Sequence, residues 1–541
     1  MRAHLIHELV ERKARHAPEA TALAYRRQRL SYAELHHEIR AAAAGLIAHG
    51  LSAGERAAVY LEKRIETVIA LFGIAAAGGV MVPVNPLLKA PQVAHVCRDS
   101  SVRILVTSSD RMVQLQEVLA ECPELHTIIL VDQGVPSSLP PRIRVLLWKE
   151  LVTEVTNRDV HRRIDSDMAA ILYTSGSTGK PKGVVLSHRN LMAGAASVAS
   201  YLENGPDDRI LCTLPLSFDY GLSQLTTAFH SGASAVLINY LLPQDVVNAV
   251  RDERITGLAG VPPLWGQLAN LSWPETTSLR YITNSGGAMP RPVLESLRAK
   301  LPEARIYLMY GLTEAFRSTY LPPDQVMERP DSIGKAIPNA DILVVRPDGT
   351  PCDVDEPGEL VHRGPLVALG YWNDPEKTAE RFRPLPQQPT GLPFPEIAVW
   401  SGDTVRRDAQ GYLYFVGRRD DMIKVSGYRI SPTEIEEVLL TIAGVREAIA
   451  FGVPHASWGQ SVMAVISSVS ETLDPATVIA ACKKHLPAYM VPAQVVIVEH
   501  PLPRNPNGKL DRKLVQSQFA NSSDESIQPR SQGAAPVRHH R

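Results

Sequence analysis

Cysteine is scarce in this sequence, and its positions do not suggest a disulfide framework or a zinc site. The 541 residues include five cysteines, Cys97, Cys122, Cys212, Cys352 and Cys482, and none lies at a C-x-x-C or Cys/His ligand spacing. An odd number of scattered cysteines is typical of a reducing compartment, so we expect a cytoplasmic protein.

Net charge is nearly absent too, as is any segment typical of secretion. The 56 basic and 57 acidic residues leave a formal charge of −1, so no global field favours nucleic acid or an anionic membrane. Histidines and an acidic residue interrupt residues 1–8, which argues against a signal peptide. We therefore predict no nucleic-acid partner.

One uncharged, mostly apolar stretch, residues 67–84, requires a choice between a membrane span and a buried core segment. Gly78-Gly79 and Pro83 interrupt it, and alanine and glycine are frequent in it. We predict a buried helix over 66–77 that turns into a strand at 80–82, and hence no membrane span.

The order of predicted elements indicates an α/β protein with more than one domain. A chain of 541 residues is too long for a single core. Up to about residue 330, helical patterns such as 32–46 after the N-cap Ser31 alternate with short apolar strands. This alternation favours mostly parallel sheets covered by helices. From about 330 to 416, glycine, proline and short alternating strands predict a small β-rich unit.

A polar break at 417–421 predicts a hinge before a compact α+β unit. The sequence Ser431-Pro432-Thr433-Glu434 predicts a capping box with proline at the first helical position. From Ser517 onward the chain is mostly Ser, Gln, Pro and Gly, which predicts a disordered tail. We predict domains over 1–416 and 417–515, followed by a tail over 516–541.

The stretch 173–183, YTSGSTGKPKG, has the composition of a polyphosphate-binding loop, and apolar runs at 169–173 and 184–187 predict strands on both sides. Glycines let backbone amides approach an anion closely, hydroxyls add donors, and lysines add positive charge. It is not a Walker loop, because Gly179-Lys180 is followed by Pro181. A flexible Gly/Ser hairpin loop is the alternative for such a composition, but the full string argues against it.

The full string resembles the phosphate loop of the adenylate-forming superfamily: acyl-CoA synthetases, luciferases and the adenylation domains of nonribosomal peptide synthetases. The resemblance covers about residues 5–515 and is closest to the AMP-forming acyl-CoA ligase group associated with exosortase systems. It implies a large N-terminal domain, with two mixed or parallel α/β subdomains and a small β-barrel-like unit, and a small mobile α+β C-terminal domain. It also implies ATP, Mg²⁺ and a thiol co-substrate, either CoA or the phosphopantetheine of a carrier protein.

The resemblance implies a nucleotide site built from several separated motifs. In YGLTE at 310–314, it implies that the tyrosine stacks on adenine, the threonine contacts the α-phosphate and the glutamate carries Mg²⁺. From the residues alone, an N-capped helix start explains this motif equally well. The implied ATP- and AMP-binding residues are Thr174, Ser175, Gly176, Ser177, Thr178, Gly179, Lys182, Gly286, Gly287, Ala288, Tyr310, Gly311, Asp403 and Arg418.

Asp403 and Arg418 match the family's ribose-binding residues. Asp403 follows the strand-like run 397–400, and an aspartate on a turn there can accept both ribose hydroxyls. A surface turn and a surface charge are the alternatives. We discount them because both residues lie at the expected separations from the segment KVSGYRI at 424–430.

The resemblance assigns the second half-reaction and the catalytic lysine to the C-terminal domain. It implies that Lys424 and Gly427 line the tunnel for the thiol and that Asp420 is the hinge. A lysine on an Asn-Gly turn is ordinarily a solvated surface residue. Lys509 nevertheless matches the catalytic lysine, a cation able to bridge the substrate carboxylate and the α-phosphate. The implied catalytic residues are Lys509, Thr313 and Glu314.

The predicted acid pocket departs from common acyl-CoA synthetases. The stretch 215–221 stands where those synthetases have a Phe-His pair, and it contains Phe218-Asp219. The resemblance indicates that amino-acid-activating domains carry Phe-Asp at this place, where the aspartate holds the ammonium group of the substrate. Buried charges need partners, so we expect a polar acid, with an amino acid as a candidate. The alternative is that Asp219 and Arg317 pair with each other and leave a neutral pocket for a fatty or aryl acid. By matching, the pocket residues are Phe218, Asp219, Tyr220, Ser223, Gly260, Ser285, Met309, Arg317 and Ser318.

The resemblance thus implies an acid–thiol ligase that forms acyl-AMP and pyrophosphate and then a thioester. A non-catalytic acyl-adenylate-binding relative is disfavoured, because residues such as Lys182, Glu314 and Lys509 are all present. A luciferase-like monooxygenase would differ in using oxygen as its second substrate. No carrier domain with a phosphopantetheine serine is evident, so a carrier protein would act in trans. The acid and the acceptor stay open.

Overall fold

The computed structural model describes residues 3–134, 139–153, 161–174, 181–275, 277–388, 391–418, 421–425, 428–455, 459–469, 473–486, 488–506 and 508–520. The chain forms two compact units. The large unit comprises residues 1–416 together with 506–509, and the small unit comprises 417–505 and the residues from 510 onward. This mixed α/β organisation, with a large N-terminal and a small C-terminal unit, is the predicted fold class.

The large unit combines helices with long sheets. Its described helices are α1 (Glu8–His16), α2 (Tyr32–Ala48), α3 (Ile65–Ala76), α4 (Ala90–Asp99), α5 (Ser109–Leu115), α6 (Trp148–Thr153), α7 (His188–Tyr201), α8 (Asp219–Ser231), α9 (Pro243–Asp252), α10 (Pro262–Leu268), α11 (Arg291–Lys300) and α12 (Pro375–Arg381). Its strands are β1 (Thr21–Tyr25), β2 (Gln28–Ser31), β3 (Arg56–Tyr60), β4 (Val80–Pro83), β5 (Val102–Thr107), β6 (Thr127–Leu130), β7 (Arg144–Leu147), β8 (Met168–Thr174), β9 (Lys182–Ser187), β10 (Arg209–Cys212), β11 (Ser234–Leu237), β12 (Gly257–Gly260), β13 (Tyr281–Asn284), β14 (Arg305–Tyr310), β15 (Thr319–Leu321), β16 (Ser332–Ala336), β17 (Asp341–Val345), β18 (Gly358–Arg363), β19 (Gly370–Tyr371), β20 (Phe382–Pro384), β21 (Ile397–Arg407) and β22 (Leu413–Arg418).

One sheet of the large unit has the strand order β19-β9-β8-β4-β3-β5-β6-β7. The neighbouring strands of the run β4-β3-β5-β6-β7 pair in parallel. Strand β9 pairs antiparallel with β8 and with β19. Successive residues of β3, Ala57 and Ala58, belong to two different core clusters, because side chains alternate between the faces of a strand. Both faces of this sheet are therefore covered.

The apolar stretch 67–84 is part of this core. Helix α3 is buried along nearly its whole length, and β4 lies next to β3 in the sheet. The predicted buried helix and strand are confirmed. Among the described residues, none of the helices has the length and apolar character needed to cross a membrane.

The second sheet runs from parallel α/β strands into the β-rich region. Its order is β17-β18-β21-β22-β16-β15-β14-β13-β12-β10-β11-β1-β2, with β20 on β21. The strands β11, β10, β12, β13 and β14 pair in parallel, and β15 and β16 continue antiparallel. Because β16 pairs with β22, the predicted β-rich strands extend the large sheet rather than standing apart from it.

Helix capping follows the sequence at one predicted site and departs from it at another. At α2, the Ser31 Oγ accepts from the Glu34 amide at 3.2 Å and the Glu34 carboxylate accepts from the Ser31 amide at 2.8 Å. The N-cap is therefore the predicted serine. At the helix after Ser431, the proline is at the first position but no side-chain cap forms. The capping-box prediction is wrong there because the buried Ser431 hydroxyl lies against Gly417, 3.1 Å from where a Cβ on that glycine would be.

The small unit is an α+β fold with its own core. Its elements are β23 (Ile423–Val425), β24 (Tyr428–Ile430), α13 (Pro432–Leu440), β25 (Val445–His455), β26 (Gly459–Ser468), α14 (Pro475–His485), β27 (Gln494–Val498) and α15 (Arg512–Phe519). The sheet order is β24-β23-β26-β25, with β27 parallel to β26. Arg512 of α15 donates to the half-buried Glu436 of α13 at 3.0 Å, which ties the last helix of the small unit to its first.

Candidate active site

The structure describes the two ends of the predicted phosphate loop. Thr174 ends β8 and faces Lys182, the first residue of β9, across the antiparallel pair. The loop residues Ser175, Gly176, Ser177, Thr178 and Gly179 lie outside the described residues, so their roles stay predictions. The same holds for Asp420, for Gly427 and for the side chain of Lys424.

Helix α4 anchors both ends of this loop. The Tyr173 hydroxyl, at the end of β8, donates to the Asp99 carboxylate at 2.5 Å. The His95 Nε2 lies 3.4 Å from the carbonyl oxygen of Pro181, which precedes β9. The Trp372 indole donates to the Asp99 carbonyl at 2.9 Å. These contacts place Thr174 and Lys182 side by side on a fixed support.

Glu314 lies on a single 3₁₀ turn, Thr313–Ala315, directly after β14. This turn has no side-chain cap, so the alternative of an N-capped helix start is wrong. Thr313 is buried, whereas Glu314 is half-buried and accepts a 2.5 Å hydrogen bond from the Tyr371 hydroxyl. The Glu314 carboxylate is thus held at the carboxyl end of a parallel strand.

Asp403 faces Tyr310 across the site. Residues 401–403 lie inside β21, so the prediction of a turn after a strand is wrong at this point. Gly402 adopts a φ of +68° there, and a Cβ on it would lie 2.7 Å from the Arg381 guanidinium. The Tyr310 hydroxyl donates to the Asp403 carboxylate. The other predicted ribose-binding residue, Arg418, is exposed at the end of β22. The glycine thus lets the strand pass the arginine and present the aspartate to the tyrosine.

The segment Gly286-Gly287-Ala288 forms a tight turn after β13. Gly286 has a φ of +84°, a conformation that side-chain-bearing residues rarely adopt. The Asn284 side-chain amide donates to the Gly287 carbonyl at 2.9 Å and closes the turn. Lys509, which clusters with the large unit, has its Cε 3.0 Å from the Cβ position of Gly286. Its Nζ lies 5.5 Å from the centroid of the Phe218 ring.

The predicted acid-pocket residues come from several elements of the second sheet and its helices. Phe218, Asp219, Tyr220 and Ser223 belong to the start of α8 or its N-cap, Gly260 ends β12, Ser285 follows β13, Met309 lies on β14, and Arg317 and Ser318 precede β15. Apart from the half-buried Phe218, all are buried. The Tyr220 hydroxyl donates to the Thr283 carbonyl at 2.9 Å. A Cβ on Gly311 would lie 3.3 Å from the Arg317 Cα, so the two backbone segments pass close to each other.

Asp219 and Arg317 form a buried but incomplete ion pair. The Arg317 Nη1 donates to the Asp219 Oδ2 at 3.2 Å, and the two side chains are 4% and 2% exposed. Among the described residues, the Asp219 Oδ1 and the Arg317 Nε and Nη2 have no hydrogen-bond partner. Burial raises the pKa of Asp219, and the neighbouring guanidinium opposes this rise. The alternative of a direct pair is therefore what the structure shows, with donors and an acceptor left over.

A strained residue holds Arg317 in this position. Phe316 has a φ of +53° and a ψ of −44°, an uncommon conformation for a residue with a side chain. Its ring is fully buried against Gly194, where a Cβ would lie 2.3 Å from the ring. The Arg317 guanidinium lies 4.6 Å from the Tyr220 ring centroid. No signal in the sequence indicates this strain, and we did not predict Phe316 or Gly194.

His362 contacts the acid pocket, a residue that the sequence analysis missed. Its Nδ1 is 3.0 Å from the Ser318 Oγ, and the side chain is fully buried on β18. Burial lowers the pKa of His362 to about 3, so the imidazole is neutral. The neutral ring fixes the hydroxyl of a predicted pocket residue.

Two family models match most of this chain. The family model for the AMP-binding enzyme matches residues 10–372, and the model for the AMP-binding enzyme C-terminal domain matches 434–509. Gramicidin S synthase 2 of Aneurinibacillus migulanus is 30% identical over 94% of this chain, which spans only 11% of the length of that protein. The long-chain-fatty-acid–CoA ligase FadD13 of Mycobacterium tuberculosis is 28% identical, with 91% of this chain and 93% of that one covered.

A solved structure of a similar enzyme has the same fold. The o-succinylbenzoate coenzyme A synthetase MenE of Bacillus subtilis, in complex with ATP and magnesium ion, superposes with a TM-score of 0.80. It is 28% identical, and the match covers 94% of this chain and 99% of that one. The exosortase-associated subgroup stays a prediction. The chain belongs to the AMP-binding enzyme family.

Proposed function

We propose that this protein is an AMP-forming acid–thiol ligase that activates a polar carboxylic acid. In the first step an oxygen of the acid attacks the α-phosphorus of ATP, and the bond to the leaving pyrophosphate breaks. In the second step a thiol attacks the acyl carbon, loses its proton and displaces AMP. The family membership and the placement of Thr174, Lys182, Glu314 and Asp403 support this proposal.

Little covalent work is asked of the protein in either step. Charge builds on the phosphate oxygens and on the substrate carboxylate, so catalysis depends on positioning and on positive charge. Lys182 lies at the end of the phosphate loop, and Lys509 lies beside Phe218 and Gly286, between the predicted nucleotide and acid positions. These two ammonium groups are suited to stabilise that charge.

Glu314 fits the role of a Mg²⁺ ligand. Among the described residues, no group of three or more His, Cys, Asp or Glu side chains is arranged so that it could hold a metal ion by itself. Mg²⁺ bound to ATP needs only one or two protein carboxylates, because phosphate oxygens and water complete its shell. When bound, the ion would neutralise charge on the phosphates.

The observation that carries the proposed substrate class is the incomplete Asp219–Arg317 pair. A pair that satisfied itself would leave a neutral pocket for an alkyl chain. Here one carboxylate oxygen and the Nε–Nη2 edge of the guanidinium have no partner among the described residues, although both side chains are buried. Buried polar atoms without partners are costly, so a substrate that both donates and accepts hydrogen bonds is favoured. An amino acid meets this requirement.

Acid-dependent ATP–pyrophosphate exchange tests this substrate class. The panel comprises amino acids, an aryl acid, and medium- and long-chain fatty acids, each at the same concentration. We expect exchange with polar acids to exceed exchange with fatty acids by about tenfold or more, because a site with buried charges rejects ligands that leave them unpaired. A strong preference for a long-chain fatty acid would refute the proposed class while leaving adenylation intact.

A crevice of the large unit is a candidate site for the nucleotide part of CoA, one of the two possible acceptors. It has a volume of about 510 Å³ and lies outside the carboxyl ends of β3 and β5. The strand order reverses at this point, since β4 lies on the other side of β3, and such points commonly bind nucleotides. Arg64, Lys89 and Arg111 line the crevice, and so do the carboxylates of Glu62, Asp110 and Asp132. The Arg111 guanidinium lies 4.7 Å from the Tyr60 ring centroid and 3.5 Å from the Glu62 Oε2. The aromatic ring and the basic groups suit an adenosine phosphate, whereas the carboxylates oppose its charge.

A comparison of CoA with pantetheine tests this acceptor site. Lys89→Ala and Arg111→Ala should raise the KM for CoA several-fold and leave the KM for pantetheine unchanged. Arg98→Ala is the control, because Arg98 pairs with Glu121 on the surface and does not line the crevice. Equal effects on both thiols would contradict the assignment.

A further inference from the structure

The Glu314 carboxylate is not isolated, because a tyrosine donates to one of its two oxygens. The Tyr371 hydroxyl lies 2.5 Å from the Glu314 Oε1. The backbone at Glu314 is fixed as well, since its carbonyl accepts from the Ala368 amide at 2.8 Å. Tyr371 therefore engages one oxygen of the carboxylate, whereas the Oε2 accepts no hydrogen bond from the part of the chain that the structure describes.

The protein holds Tyr371 firmly. The residue is 9% exposed and lies on β19, whose backbone pairs with Val184 of β9. Its amide donates to the Thr378 hydroxyl at 2.9 Å, and its ring contacts Phe382 edge-on, with centroids 5.5 Å apart. The hydroxyl thus has a defined position relative to the strand that carries Lys182.

Tyr371 lies between two charged groups of the site. The Lys182 ammonium lies 5.4 Å from the Tyr371 ring centroid. Tyr371 therefore contacts the lysine through its ring and the carboxylate through its hydroxyl.

We propose that Tyr371 is a positioning residue that makes Glu314 a one-oxygen ligand for the divalent cation of ATP. Mg²⁺ prefers octahedral geometry with few protein carboxylates, and hydrogen bonds to a ligand's other atom orient it. The inference rests on the proposed function, because the cation arrives with ATP. It assigns a role to a residue that lies outside the motifs of the predicted nucleotide and acid sites.

Tyr371→Phe tests this role by removing only the hydroxyl. The phenyl ring can keep its contacts with Lys182 and Phe382. Binding of Mn²⁺–ATP is measured by the electron paramagnetic resonance of Mn²⁺, and binding of ATP alone is measured with a chelator present. We expect about a 10- to 100-fold loss of Mn²⁺–ATP affinity, as for other groups that orient metal ligands. Metal-free ATP binding should be the same as in the wild type.

Tyr32→Phe is the matched control, since it also removes a buried, hydrogen-bonded hydroxyl, here one that donates to the Ala233 carbonyl. It should leave Mn²⁺–ATP binding unchanged. In a Glu314→Gln background, Tyr371→Phe should cause no further loss. Unchanged Mn²⁺–ATP binding by Tyr371→Phe, an equal loss of metal-free ATP binding, or an undiminished effect without Glu314 would each overturn the inference. Absence of exchange with every acid, while Mn²⁺–ATP still binds, would count against the proposed function alone.

Discussion

Replacing Asp219 and Arg317 singly and together should separate the contribution of their pairing from the cost of burying each charge. The Arg317→Met variant leaves a buried carboxylate without its cation, and Asp219→Leu leaves a buried guanidinium without its anion. The double variant removes both charges and keeps a similar volume. Because breaking one half of a buried pair is costly whereas replacing both halves is often neutral, the effects should not add.

The geometry sets the size of this effect. At the Nη1–Oδ2 distance of 3.2 Å, Coulomb's law with an effective dielectric constant of about 20 gives an attraction of ~5 kcal/mol. This is an upper limit, because the single hydrogen bond leaves three polar atoms without partners among the described residues. We expect each single variant to lose about 3–5 kcal/mol of unfolding free energy and the double variant to lose less than about 1 kcal/mol.

Urea unfolding of the four proteins measures the coupling, and pyrophosphate exchange with the acid panel measures the change in substrate. The double variant should fold, lose exchange with polar acids and retain or gain exchange with a medium-chain fatty acid. Additive losses of stability would show that the two charges do not interact. An unchanged substrate profile in the folded double variant would refute the proposal that this pair selects the acid.

Four further predictions concern other parts of the protein. His362→Gln should flatten the pH dependence of the unfolding free energy between about pH 6.5 and 3. In the wild type the buried histidine binds fewer protons than it does in the unfolded chain, so stability is lost as the pH falls, by up to about 1.4 kcal/mol per pH unit. An unchanged slope in pH-dependent urea unfolding would contradict this. Gly194→Ala should cost about 1–3 kcal/mol in thermal unfolding through its clash with Phe316, whereas Gly205→Ala, which meets open space, should not. Lys509→Ala should abolish adenylation and spare transfer to the thiol from supplied acyl-adenylate. Asp420→Pro, which stiffens the predicted hinge, should slow thioester formation more than adenylate formation. For either variant, equal losses of both half-reactions would contradict the role of that residue.

The sequence predicts the elements near the phosphate loop because their signals are local. The run before Thr174 and the run after Gly183 are short and apolar and lie next to the glycine-rich loop, and they form β8 and β9. The apolar stretch from Thr67 is interpreted correctly because Gly78 and Gly79 interrupt it between α3 and β4, and Pro83 ends β4. Local pattern and burial agree at these places.

The features that the sequence does not reveal come from residues distant in the chain. Tyr371 meets Glu314 across 57 positions, and no local pattern predicts that contact. The Ser431 hydroxyl turns toward Gly417 instead of capping its helix, and Asp403 lies within a strand because β21 continues past Gly402. Motif matching proposes which residues carry the chemistry, whereas tertiary packing decides how they are held.

One measurement decides whether the protein performs the proposed reaction. The protein is incubated with ATP, Mg²⁺ and the best acid of the panel, and the products are followed by mass spectrometry before and after a thiol is added. We predict acyl-adenylate and pyrophosphate first, and then thioester and AMP in equal amounts. Formation of ADP, consumption of oxygen in place of thiol, or ATP left unchanged with every acid would contradict an AMP-forming acid–thiol ligase.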